Sequence, residues 1–403
     1  MKFRSNVKKK ILGTIFLIFV YVLGSKLTLP FVDLTKSLSQ NGLINGLELT
    51  SAVMGGGLRN MNIFSLGLSP WMSSMLLWKM FTVSKKLNLD NLPTEILERR
   101  KMYLTLAISL IQGLAITLYL PLNTSIDKTV VILLNTLILV AGSFFLIWMA
   151  DINSIMGLGS STIIMMVGMM LYLPADLQAS FRQLHLKMIW VVGLFIFSLI
   201  LLYVAIIFER AMYKIPINKI AIHNEFKNYS YLDIKINPAG GMPIIYAMTL
   251  VSIPQYILLL VTYFFPKEKW STHGISAIQM GKPMWFILYI GIIFLLGIGF
   301  AYINVNGDEI SEKMQRNSEY IDGIYPGDET RKYINHIVKK FGILGSCYLI
   351  IFTVMPMLVI LWDLRFLRIS MVPGIFMIFF GMVFMIKEEV KALSLNEKYT
   401  KIF

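Results

Sequence analysis

A chain of 403 residues with 56% apolar and only 15% charged residues has too little polar surface for an ordinary soluble domain. Its formal charge of +14 at pH 7 would suit a nucleic-acid partner, but the placement of the basic residues assigns them to membrane topology instead. The single cysteine, Cys347, excludes a disulfide framework and lies in an apolar run, where a thiol behaves as a small hydrophobe.

Ten apolar runs are predicted to span a bilayer, at about 11–30, 64–82, 103–121, 129–149, 158–173, 188–208, 243–265, 284–303, 341–362 and 371–388. Each approaches the roughly 20 residues that a helix needs to cross hydrocarbon. The first ends at Leu29–Pro30 without a small-residue cleavage pattern, so it reads as a retained span and not a cleaved signal peptide. Next comes the most informative stretch, Gly55–Phe81. It opens on Gly55, Gly56 and Gly57 with the polar Arg59, Asn60 and Asn62, and continues as an apolar run broken by Gly67, Pro70, Ser73 and Ser74. Hydrocarbon cannot satisfy the backbone groups that such breaks release, so the stretch must line a cavity or be buried in protein.

Lysines and arginines divide unevenly between alternate loops. One set holds 25, in the N-terminal segment, the loops near Lys85, Lys214 and Arg331, and the C-terminal tail; the other set holds 10. The positive-inside rule then places both termini in the cytoplasm of a multi-pass protein of the cell membrane. Two loops on that face, 209–241 and 304–340, carry mixed charge and turn signals such as Tyr325-Pro326-Gly327-Asp328, which suit ordered protrusions that dock a cytosolic partner. Five spans on each side of an external loop force the second half to run inverted. The expected division is an N-terminal half 1–173 with a re-entrant segment at about 42–63, a hinge loop 174–187, and a C-terminal half 188–403.

Catalytic chemistry finds no footing. His185, His223, His273 and His336 lack ligand spacing, Gly157-Leu158-Gly159 lacks the rest of a nucleotide fingerprint, and no P-loop occurs. No enzyme activity, metal, cofactor or nucleic acid is expected. A secondary transporter is the alternative from another class, since it too combines inverted halves with a broken helix. Against it, Asp151, Glu209, Asp363, Glu388 and Glu389 all lie at span ends, away from the midplane where carriers place coupling groups.

Six segments in order resemble the SecY family, the central subunits of protein-conducting channels. They are Tyr21–Pro30, Ile63–Pro70 within the broken stretch, Glu98–Lys101, Gly157–Gly159, Asn237–Ile245 and Gly323–Gly327. The resemblance implies an all-α membrane protein, ten helices in two inverted halves around an hourglass pore closed by a plug. It places Gly55, Gly56 and Gly57 in the plug. Leu68, Met72, Met165, Met169, Ile245 and Ile378 fall at the pore ring, with Met at three positions where the family favours Ile. Ser73, Ser74 and Asn237 fall near a lateral gate through which apolar segments leave for lipid. Lys79, in the second span, suits snorkelling to the interface.

The motor-docking face implied by the resemblance comprises Lys219, Ala221, Ile222, Tyr325, Pro326, Gly327 and Arg331. Here the chain departs from the housekeeping pattern: Tyr325 replaces an arginine, and Ala221–Ile222 replace a basic pair. Loss of arginine's fixed donors is not conservative. The combination resembles the accessory SecY of Gram-positive bacteria, which implies an accessory SecA ATPase as motor, a SecE-like small subunit, other accessory Sec proteins, and serine-rich glycosylated adhesins exported unfolded. A divergent housekeeping SecY is the alternative within the family.

Overall fold

In a bilayer each spanning segment must close its own backbone hydrogen bonds, and every one of the ten predicted spans contains a helix. The computed structural model describes residues 4–33, 45–83, 93–122, 127–184, 188–219, 230–266, 269–361, 363 and 366–399. The N-terminal half contains α1 (Arg4–Gly24), α2 (Asn45–Val53), α3 (Ser69–Val83), α4 (Thr94–Thr117), α5 (Lys128–Met156) and α6 (Ser160–Leu184). Then follow α7 (Met188–Arg210) and the strands β1 (Met212–Pro216), β2 (Asn218–Lys219) and β3 (Tyr231–Lys235). The remainder is α8 (Met242–Phe264), α9 (Lys269–Ile278), α10 (Pro283–Asn304), α11 (Gly307–Arg316), β4 (Glu319–Tyr320), α12 (Asp328–Met357), α13 (Leu367–Ser370) and α14 (Val372–Tyr399).

Among the described residues, five stretches, Lys128–Met156, Met242–Phe264, Pro283–Arg316, Asp328–Leu361 and Leu367–Leu395, are long and apolar enough to cross a membrane by length and composition. Helices α3, α4 and α5 pack in sequence, as do α8, α10 and α12, and the two groups meet where α3 and α4 lie against α8. Helix α1 packs against α5, α6 and α14. Large side chains such as Phe16 and Phe19 of α1, and Phe195 and Tyr203 of α7, remain exposed on the outside of the bundle, as contact with lipid requires.

Three boundaries differ from the sequence expectation. Helix α3 starts at Ser69, so residues 61–68 are turns and not the beginning of a span. The re-entrant segment carries a helix of its own, α2. Helix α6 runs through Pro174 to Leu184, which leaves only 185–187 of the expected 174–187 hinge between the halves. A proline at membrane depth is tolerated because neighbouring groups can re-satisfy the carbonyl it strands.

The two long loops form one small unit at the same end of the bundle. Strands β1 and β3 pair antiparallel, with Met212 opposite Lys235 and Pro216 opposite Tyr231. Strand β2 pairs with β4 of the other loop, and Lys219 reaches Glu319 at 2.8 Å across that pair. Beneath them Ile215, Ile217, Ile234, Met314, Ile321, Ile334 and Val338 make a separate apolar core at the foot of α12. Ile334 is fully buried there. Ile334→Ala should cost about 2–5 kcal/mol of local stability. Hydrogen exchange should then accelerate at the amides of 212–219, 231–235 and 319–320, with the membrane-embedded helices unaffected.

Candidate pore constriction and plug

The six apolar residues singled out at the expected ring come from four elements and belong to one core cluster. Leu68 precedes α3 and Met72 lies on its first turn, Met165 and Met169 are one turn apart on α6, Ile245 is on α8, and Ile378 is on α14. All are at most 3% exposed and belong to one apolar cluster that includes Tyr21, Leu49, Val53 and Met54. On the side of the β-strands this cluster faces a cavity of about 500 Å³, lined by Ile245 and Ile378 at its apolar end and by Glu209, Arg210, Lys235 and Lys391 elsewhere. On the other side it is covered by α2 and the turns that follow.

Those turns are held by backbone chemistry. Met54 O accepts from Leu68 N at 2.9 Å, and Gly67, between the two arms, has φ +59 and would drive a Cβ into the Met54 carbonyl. The Tyr21 hydroxyl of α1 donates to Gly55 O at 2.6 Å. The Asn62 amide nitrogen donates to Ser25 O at 2.9 Å and to the Tyr172 hydroxyl of α6 at 2.8 Å. Residues 27–29 and 61–63 add two further backbone bonds, Leu29 N to Met61 O and Ile63 N to Leu27 O. Phe64 is sandwiched between the rings of Tyr21, at 5.6 Å, and Phe145, at 6.0 Å. Gly55, with φ +75, approaches α6 so closely that a Cβ on Gly168 would fall 2.3 Å from the Gly55 Cα. Only glycine permits that approach.

The three polar residues expected at one lateral cluster are separated. The Ser74 hydroxyl meets Thr105 Oγ1 of α4 at 2.6 Å, within its own half of the bundle. Ser73 is fully buried and its hydroxyl has no hydrogen-bond partner. Asn237 donates to Gly240 O at 3.2 Å in the turn before α8 and packs on Gly345 of α12. The seam between α3–α4 and α8–α10 is instead bridged at two heights by other residues. Near one end Lys79 Nζ sits 5.3 Å over the Phe300 ring, which stacks on Tyr246. Near the other, the Tyr119 hydroxyl donates to Leu259 O at 3.1 Å. Lys79 was visible in sequence as a charge in an apolar span; its partner Phe300 was not, because a pairing across helices leaves no local signal.

On the strand side, Tyr325 is 77% exposed between Gly323 and Gly327, both at positive φ. Pro326 sits beside it in the same turn. Arg331 is engaged with Asp308 at 3.3 Å and Asp328 at 3.5 Å, and Lys219 with Glu319, so both basic groups brace the loops that carry them. Ala221 and Ile222 lie outside the described residues.

Known proteins share the sequence pattern and the fold that hold these residues. The SecY family model matches residues 62–387. The accessory Sec system protein translocase subunit SecY2 of Streptococcus sanguinis (strain SK36) is 53% identical over 402 residues, covering 99% of both chains. A solved protein-conducting channel superposes with a TM-score of 0.70 at 13% identity, covering 97% of this chain and 94% of that one. A SecY protein whose plug domain is described as stabilising the closed channel and maintaining a membrane seal gives 0.67 at 14%, covering 97% and 93%. The helices therefore form a multi-pass channel fold of the cytoplasmic membrane, not a catalytic one. The chain belongs to the SecY family, within its accessory SecY2 branch.

The close seat on α6 makes a direct prediction. Gly168→Val places side-chain carbon where the Gly55 backbone now lies, so the amides of 55–67 should lose hydrogen-exchange protection while those of α5 and α8 keep theirs. Unchanged protection at 55–67 would show that this contact does not hold the turns.

Proposed function

We propose that this chain is the central, pore-forming subunit of an accessory protein translocase, and that the residues described above carry the roles that family membership suggests for them. The observation that supports this best is the dry waist. Side chains from four helices close it without one specific bond among them, while a charged vestibule opens on one side. A narrow apolar constriction dewets and so excludes ions, yet it yields to a polypeptide because nothing specific has to be broken. Leu68, Met72, Met165, Met169, Ile245 and Ile378 are the ring, and residues 45–67, with Gly55, Gly56 and Gly57 at the turn, are the plug. Methionine adapts its shape at little cost, which suits a gasket that must close around different side chains.

The strand end then faces the cytoplasm, with both termini on that side, and receives the polypeptide unfolded. The seam of α3 and α4 against α8 and α10 is the lateral exit. Lys79–Phe300 and Tyr119–Leu259 are its fastenings, Ser73 and Ser74 line the α3 side, and Asn237 braces the base of α8. With no nucleotide-binding motif in the sequence, the chain needs a partner for energy. Its exposed tip at Tyr325, Pro326 and Gly327, with Lys219 and Arg331 of the two loops, is the docking face for a SecA-type ATPase of the accessory kind, to which Ala221 and Ile222 are assigned by sequence alone. A SecE-like small subunit would brace the outside. The branch to which the chain belongs suggests glycosylated serine-rich adhesins as cargo. The halves divide near 185–187, with 1–173 and 188–403 as the expected units.

Three outcomes test this reading. Deleting Gly55–Asn62 should raise the resting ion conductance of the purified channel complex in a planar bilayer, and an unchanged conductance would remove the plug assignment. Met72→Cys, Ile245→Cys and Ile378→Cys should each crosslink to a stalled secretory chain; crosslinks confined to residues away from the waist would sink the ring. Tyr325→Arg should shift the preference of export between accessory and housekeeping SecA proteins. If export driven by either motor is unaltered, the tip does not select the motor.

A further inference from the structure

The chain as a whole carries a formal charge of +14, yet the loop that ends in the exposed tip runs the other way. Between Asn304 and Lys332 seven acidic residues stand against four basic ones, a local excess of three negative charges. Two of the four basic residues are already engaged within the loop, Arg331 with Asp308 and Asp328, and Arg316 with Glu312 at 2.5 Å. At the tip itself Asp322, Asp328 and Glu329 are all exposed.

Amid these carboxylates stands Tyr325. Its exposure is the highest among the large apolar side chains of the described residues, and it lies outside the spans, where no lipid can cover it. A single exposed apolar residue is ordinary in itself. This one is held outward by bonds on both sides. Ile324 packs on the small core beneath the strands, and its N–H donates to Ile321 O at 3.1 Å. The Tyr325 carbonyl accepts from the buried Thr330 hydroxyl at 2.9 Å, and its N–H donates to Glu329 Oε2 at 3.4 Å. Gly327 O accepts from the Ser311 hydroxyl of α11 at 2.8 Å and from Arg331 N at 3.0 Å. The backbone of the tip is thus tied to both α11 and α12. A ring presented in advance loses little freedom on binding, and tyrosine is among the residues that most often anchor an interface.

We propose that Tyr325 is an aromatic anchor with an acidic rim, and that the ATPase surface it enters is an apolar pocket bordered by lysine or arginine. The inference rests on reading this tip as the motor-docking face. Charge complementarity identifies the partner surface: Asp322 precedes the ring, and Asp328 and Glu329 follow it, so a basic border attracts the tip and an acidic border repels it. The arginine that the housekeeping pattern carries at this position asks for the opposite, carboxylates on the motor. The two kinds of channel therefore call for motor surfaces of opposite sign, and like charge penalises the wrong pairing.

The test measures association and dissociation rates of purified accessory SecA and of purified housekeeping SecA on the channel complex in nanodiscs, at low and high sodium chloride. Tyr325→Ala should weaken binding of accessory SecA about thirtyfold, mostly through faster dissociation. Tyr325→Phe should stay within about threefold of the wild type, because an apolar pocket reads the ring and not the hydroxyl. Asp328→Asn with Glu329→Gln keeps shape and hydrogen-bonding capacity, and the exposed pair it weakens contributes little to the fold. It should slow association of accessory SecA about fivefold at low salt and flatten the salt dependence, with dissociation nearly unchanged and housekeeping SecA bound no more weakly. Binding by Tyr325→Ala within about twofold of the wild type, or an equal loss in Tyr325→Phe, would overturn the anchor. Unchanged association of the charge variant would overturn the rim. Replacement of residues 323–327 by a glycine–serine linker, with hydrogen-exchange protection at 212–216 confirming folded loops, separates the two readings. If the replacement abolishes binding while the point variants bind normally, the inference falls and the docking face stands. If the replacement binds accessory SecA like the wild type, both fall.

Discussion

Backbone hydrogen bonds that cannot be left open at membrane depth constrain everything else in this molecule. The segment from Gly55 to Leu68 is irregular, and each freed group must find a partner within protein. It does so by folding back on itself, with Leu68 N on Met54 O, and by borrowing the Tyr21 hydroxyl of α1 for Gly55 O, while the Asn62 side chain donates to Tyr172 of α6. Those partners fix where α1 and α6 must stand. Met165 and Met169 of α6 lie with Leu68 and Met72 in the same apolar core cluster.

The six residues of the candidate ring are all apolar. A hydrogen bond across the ring would be strong in apolar surroundings and would have to be broken for each passing residue. Dispersion contacts are individually weak and lost gradually. Charge is kept instead to places where it can act as a fastening: Glu48–Arg368 between α2 and α13, Lys79 over Phe300 across the seam, and Lys219–Glu319 between the two loops. Each joins elements far apart in sequence, so each reports on how larger parts of the molecule are disposed.

Much of the fold was legible because the bilayer simplifies the code. Length and apolarity alone identify a span, and all ten runs contain a helix. The candidate ring comes only from the resemblance, since Met72, Met165 and Met169 look in sequence like any other of the 26 methionines. The hydrogen-bond partners of the polar residues expected near the lateral gate were not legible. Ser74 turns to Thr105 of α4, and Asn237 to the base of α12, because a hydroxyl or amide takes the partner nearest to it in space and the sequence records only its neighbours in the chain. The helix α2 was hidden too, since nine residues of mixed polarity carry too weak a periodic signal.

By itself the sequence determined that the chain crosses a membrane, that residues 55–81 could not be an ordinary span, and that the two long loops lie on one face. These follow from local physics: apolar length, backbone satisfaction and the distribution of Lys and Arg. Only the tertiary structure decided that those loops pair through β2 and β4, that Phe300 answers Lys79, and that Arg368 reaches across 320 residues to Glu48. Such contacts depend on which helices pack together, and no single segment carries that information.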